Sequence, residues 1–469
     1  MHYKNGDIFE GCFSSDLRNG EGIIYYKNGD IFEGKFINDI KTGKGIIYYK
    51  NGDIYEGNFN NDIIEGKGIF LWNNCDKYEG DFKNGKKEGR GKIQYKNADI
   101  YEGDFENDKR EGKGIFYWNN DIKDRYEGDY KNDKKEGNGI LYYITGDKYK
   151  GDFVNDIREG RGTMFYKNGD IYEGDYKNDI REGKGILSYN NGGSYDGDWK
   201  NDKREGKGAM TFQNGDTYEG DWINDIREGK GILHYYVNDA LYEGNWKNNK
   251  REGKGIYTWS NGNRYEGEWR DDKREGKGEM TLKNGNKYIG DFKNDKVEGS
   301  GIFYFINGDR YEGNWKNNDR EGKGIYYLSN GNRYEGDWKN DVFQKKGIIY
   351  YTNGDRYEGD YVNNKKEGKG VIKYQNGGCY QGDWKEDKRE GKGLMIYDNY
   401  DKYEGDWKND VKEGKGIYYY KKGGFYEGDF INDKREGNGI MIYDNGDKYD
   451  GEWKNDKREG KGKLDYKDG

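Results

Sequence analysis

Aromatic, glycine and charged positions alternate along this chain in short runs, and the runs recur. A Tyr or Phe with Gly two residues later appears twenty times, from Phe9 to Tyr449. The step is 23 residues except from Tyr101 to Tyr126 (25) and from Tyr218 to Tyr242 (24). Taking that aromatic as offset 0, Gly at +2 and an aromatic at +4 fall on one face of an extended segment. Glu at +1 and Asp or Asn at +3 fall on the other. A polar N-D-K-R or N-D-I-R stretch with turn chemistry follows. Next come Gly +11, Gly +13, an apolar +15 and an aromatic +17, again on one face, as in Gly183, Gly185, Leu187 and Tyr189. Offset +16 accepts Ser188, Gln94, His234, Lys373 and Asp465, which marks it as solvent-facing. An N-G-D turn closes the unit.

The pattern predicts one β-hairpin per repeat, apolar on one face. A single hairpin cannot bury enough surface to order itself, so the repeats must stack. The mid-strand glycines predict that rings lie across bare backbone. The expected fold is therefore all-β: about twenty tandem hairpins forming a twisted, curled antiparallel sheet, a solenoid-like rod of roughly 190 Å. One continuous array over 1–469 is expected, with a candidate kink or partner contact near 341–347, where Lys345 replaces the +11 Gly. The insertions at Asn119–Arg125 and Val237–Leu241 lengthen loops between repeats. The stretch 195–469 is rich in Trp at +4.

Composition changes this picture little. The aromatic share of 17% supplies the apolar surface that aliphatics usually supply, and Pro is absent, which suits unbroken pairing. Net charge is −8, with acids and bases interleaved, so no basic stripe suggests nucleic acid. Cys12, Cys75 and Cys379 have no metal or disulfide spacing, which points to a reducing, cytoplasmic setting.

The unit YEGDWKNDVKEGKG, with Tyr403, Glu404, Gly405, Trp407, Gly414 and Gly416, resembles the MORN repeat (membrane occupation and recognition nexus). The resemblance covers nearly the whole chain. It implies a non-enzymatic scaffold in cytoskeletal, ciliary (axonemal) or membrane–cytoskeleton structures, or at the inner face of a membrane.

Catalytic chemistry is not readable. Of the two histidines, His234 sits at the permissive +16 offset, and the repeated G-x-G lacks a nucleotide-binding context. Rows of carboxylate such as Asp216, Glu219 and Asp221 are interleaved with Lys, so neither a metal nor a cofactor is expected. Two binding modes are expected in its place. In the first, a helix or peptide of a protein partner, or a second copy of the chain, inserts between the rings of an aromatic groove. The candidates are Trp199, Trp222, Trp246, Trp269, Trp315, Trp338, Trp384, Trp407 and Trp453. In the second, hairpin-tip cations hold an anionic membrane surface such as phosphoinositide headgroups. Lys203, Arg204, Lys207, Lys273, Arg274 and Lys277 exemplify them.

Overall fold

The computed structural model describes residues 1–119 and 124–467. Most of the Asn119–Arg125 insertion and the final Gly469 therefore lie outside the described residues. The chain divides into two compact units, Met1–Val237 and Asn238–Gly469. The division falls at the insertion of Val237–Leu241, where Val237 is exposed and Ala240 is buried.

Each unit is an antiparallel meander of hairpins. In the first, strands run from Ile8–Ser14 to Ile226–Tyr235, and each pairs with its neighbours in sequence. The second runs from Ala240–Lys247 to Lys457–Asp465 by the same rule. Strands alternate between seven and nine residues almost throughout, as in Ile171–Lys177 and Ile180–Ser188. The family of turns explains the regularity. Both tip residues are left-handed, Asn178 at φ 50° and Asp179 at φ 69°, a two-residue turn that Asn and Asp tolerate well. At the opposite edge, Gly169 takes φ +90° while the Asn168 side chain accepts the Asp170 N–H at 3.0 Å.

Register shows why the hairpins have unequal strands. Tyr172 faces Leu187, Gly174 faces Gly185 and Tyr176 faces Arg181. One residue on the short strand opposes three on the long one between the last two pairs, so the long strand bulges. Gly183 sits in that bulge at φ +80° and relieves it, as only Gly does without strain.

The core of each unit is a single aromatic layer on one face. Tyr55, at offset 0, is fully buried. Its ring crosses the glycine pair of its own hairpin. A methyl group placed on Gly68 would stand 2.6 Å from both Cε2 and the hydroxyl of Tyr55. The ring-over-glycine packing expected from the sequence is thus present, and it repeats along both units. The Tyr hydroxyl donates to the carbonyl three residues on, 3.1 Å for Tyr172 to Asp175. Burial pushes these phenols up, well beyond the ordinary tyrosine value of 10.0.

Candidate functional site

Neighbouring hairpins are stapled by charged side chains, and these staples decide which groups remain for function. Arg181 illustrates the first. Its guanidinium lies over the Trp199 ring of the next repeat, 4.1 Å from the centroid. Its Nε donates to Asp202 Oδ1 at 3.1 Å and its Nη2 to the Asp202 carbonyl at 2.6 Å. Trp199 is further held by edge-to-face contacts with Tyr172 and Tyr195, with centroids 5.2 and 5.3 Å apart. The indole N–H donates to the Gly185 carbonyl at 2.9 Å. A second staple links Glu182 to the Asn201 N–H at 3.0 Å. In a third, Asp170 accepts the Asn190 N–H at 2.8 Å at the other edge.

This geometry revises the expected aromatic groove. Trp199, Trp222, Trp246, Trp269, Trp315, Trp338, Trp384, Trp407 and Trp453 are all buried, with at most 8% of the surface exposed. They are enclosed between two tyrosines and, in most repeats, a stacked arginine or lysine. A partner would have to open the sheet to reach between them. Their periodicity is a core periodicity, and the cations at +9 that cover them were the signal that sequence reasoning passed over.

The tip cations are likewise spread out. Arg204 and Arg274 turn to the aromatic face, where they bond Asp225 at 2.9 Å and Asp295 at 3.2 Å. Lys207 and Lys277 turn to the opposite face and pair with Asp221 and Asp291, the latter at 2.5 Å. Lys203 and Lys273 alone stay at the exposed tips, Lys273 donating to Asn294 at 3.3 Å. Within each of the two repeats the three cations therefore do not converge on one surface.

What does converge is the face opposite the rings. In Asn238–Gly469 it forms an open trough of about 2140 Å³ that runs across the strands from Lys323 to Asp450. A shorter one of about 1060 Å³ spans Glu21 to Gly103 in the other unit. The floor of the larger trough is glycine backbone, because everything at +2 and +13 points to the aromatic side. One row along it alternates aliphatic and polar side chains. Ile325, Ile348, Val371, Leu394, Ile417 and Ile440 are half-buried. Between them stand Glu335, Glu358, Gln381, Glu404 and Glu427, each opposite an aliphatic on both sides, and Asp450 ends the row between Ile440 and Lys463.

The charges beside the floor are partly spent. Lys323, Lys369, Lys392 and Lys415 pair with Asp337, Asp383, Asp406 and Asp429 at 2.5–2.9 Å. In the aliphatic row, Arg356 meets Glu358 at 2.6 Å and Lys448 meets Asp450 at 3.4 Å. Glu404 and Glu427 are exposed and have no ion-pair partner among the described residues. Nor do the described residues hold any cluster of His, Cys, Asp and Glu fit for a metal.

The sequence model of the MORN repeat matches twenty segments, the first at 9–31 and the last at 449–469. The chain belongs to the MORN-repeat family. MORN repeats are non-catalytic structural modules, often found in cytoskeletal and membrane-associated settings, and this chain is built of them nearly throughout. No curated protein matches the chain. Among solved structures, the TCP10 domain of Danio rerio CPAP in complex with a STIL peptide is 11% identical. That alignment covers 53% of this chain and 94% of that one, with a TM-score of 0.22. An inactive virginiamycin B lyase from Staphylococcus aureus is also 11% identical, covering 73% and 95% of the two chains with a TM-score of 0.10. Scores of this size do not mean a shared three-dimensional arrangement.

Within the MORN array one repeat departs from the rest. In strands Arg333–Lys339 and Val342–Tyr350, Phe343 stands where Arg or Lys usually stands, and it is buried. Its ring, not that of Tyr334, covers the glycine pair: a methyl on Gly336 would meet Phe343 Cε2 at 2.9 Å. Tyr334 is left half-buried, 6.0 Å from Phe343 between centroids. Lys345 occupies the bulge at φ 61°, a strained conformation for a side-chain-bearing residue. The pairing nevertheless runs through, with Gly336 facing Gly347 as elsewhere.

Proposed function

We propose that this MORN-repeat chain is a non-enzymatic scaffold that holds protein partners in the trough of Asn238–Gly469. Its setting would be cytoskeletal, ciliary or at a membrane–cytoskeleton junction. The observation that supports this reading is the aliphatic row of that trough. It is a long strip of half-buried apolar side chains, regularly spaced and flanked by charge, on a face no other part of its own unit covers. Surfaces of that kind bind chains rather than small molecules, since they are open and extended.

The aromatic face is spent on holding the hairpins together, and Lys323, Lys369, Lys392 and Lys415 beside the trough floor are paired with aspartates. Both points favour protein over lipid as ligand. The test is a partner co-precipitated with the full chain from its source cell. Leu394→Asp with Ile417→Asp should abolish recovery of that partner while the circular dichroism spectrum is unchanged. Tyr397→Phe with Tyr420→Phe, on the opposite face, should leave recovery intact. Recovery that survives the trough changes would rule out this reading.

A further inference from the structure

The spacing of the aliphatic row constrains the shape of what lies in the trough. Successive aliphatics are two strands apart, which at the usual strand separation is about 9.4–9.8 Å. A left-handed polyproline II chain advances about 9.3 Å per three-residue turn. Over the five steps from Ile325 to Ile440 it drifts out of register by about 0.5–2.5 Å. An α-helix returns to one face after seven residues, about 10.5 Å, and drifts by about 3.5–5.5 Å over the same distance. An extended strand presents one face every second residue, about 6.6 Å apart, and meets no such period.

The same row supplies the charge preference. Lys392 and Lys415 beside it are committed to Asp406 and Asp429, whereas Glu404 and Glu427 project from the row without an ion-pair partner among the described residues. Each lies between two aliphatics, Glu404 between Leu394 and Ile417 and Glu427 between Ile417 and Ile440.

On the reading that the trough is the binding face, we propose that its occupant is a basic polyproline II segment. Every third residue of that segment carries an apolar side chain that meets an aliphatic of the row. A Lys or Arg beside each apolar residue reaches the intervening carboxylates.

The experiment is fluorescence anisotropy on the full chain with three labelled peptides. One is (Pro-Leu-Lys)6. The second has the same composition with the three-residue period scrambled. The third is a helical peptide carrying Leu and Lys once per heptad. The expected result is binding of the first at least tenfold tighter than either other peptide, strengthening as triplets are added from two to six. Glu404→Gln with Glu427→Gln should weaken it and flatten its salt dependence. Equal affinity for the scrambled peptide, preference for the helical one, or no binding by any would overturn the polyproline II ligand. Failure of this kind, with the partner still lost from Leu394→Asp/Ile417→Asp protein, would leave the trough as a scaffold face. Polyproline binding that survives those two substitutions would instead sink the trough itself.

Discussion

At the scale of single residues, the protein is governed by close approach. Glycines at the two mid-strand offsets are fixed by the tyrosine ring above them, so Gly68→Ala should destabilise its repeat by about 3 kcal/mol. Gly192, at φ +93° with nothing within 4 Å of an added methyl, should cost only about 1 kcal/mol as Gly192→Ala. Hydrogen exchange of the two variants measures the difference. Lysines at the +9 offset are second-best staples. Burial pushes the Lys366 ammonium down, and Asp387 and Asp410 only partly offset it. Arg389 in the equivalent place bonds Asp410 twice and stacks on Trp407 at 4.3 Å. Lys366→Arg should therefore stabilise by about 0.5–1 kcal/mol, read as a higher midpoint in urea. Acid acts on the aspartate staples. Burial pushes Asp198 up, but the Lys184 ammonium and the Lys207 N–H outweigh it and hold it below 3.8. Asp221 and Asp291 are held below that value in the same way. A depressed folded value means stability present above the unfolded pKa and lost as pH falls through the folded one. Unfolding should therefore begin as pH drops below about 4, not near neutrality. The alternation of ring and glycine was legible in the sequence because it has a strict period. The burial of Trp199 and its fellows was not, because an aromatic row reads alike as core or as groove until its covering cation is placed.

At the scale of the hairpin, each element is fixed by two turns and one bulge, and its neighbours supply the rest of its stability. N-D tips, N-G-D edges and the bulge glycine could all be read directly, since left-handed backbone selects for Asn, Asp and Gly. The exchange of rings in Arg333–Tyr350 could not. The sequence showed a missing Gly at Lys345, but nothing in the spacing said that Phe343 would take the place of Tyr334 over Gly347. This hairpin should be the least protected of its unit in hydrogen exchange, since it joins a left-handed Lys to a displaced Tyr. Lys345→Gly should stabilise it by about 0.5–1 kcal/mol. A loss of protection in that variant would mean the Lys345 side chain makes a contribution that the strain argument omits.

At the scale of the whole molecule, function rests on which face is left unspent. Acids and bases nearly balance and are interleaved along the chain, and the net charge of −8 is unfavourable to an anionic surface. Sedimentation with phosphatidylserine vesicles at physiological salt should leave the protein in the supernatant. Co-sedimentation abolished by Lys203→Ala with Lys273→Ala would restore the membrane reading through the tips. The most direct test of the scaffold account is a photo-crosslinking map of the full chain bound to its partner. A benzophenone side chain would be placed in turn at Glu404 and Glu427 in the trough, and at Tyr397 and Tyr420 on the aromatic face. The account predicts a crosslinked partner from the two trough positions and none from the other two. A partner crosslinked from Tyr397 and Tyr420 but not from Glu404 or Glu427 would contradict it.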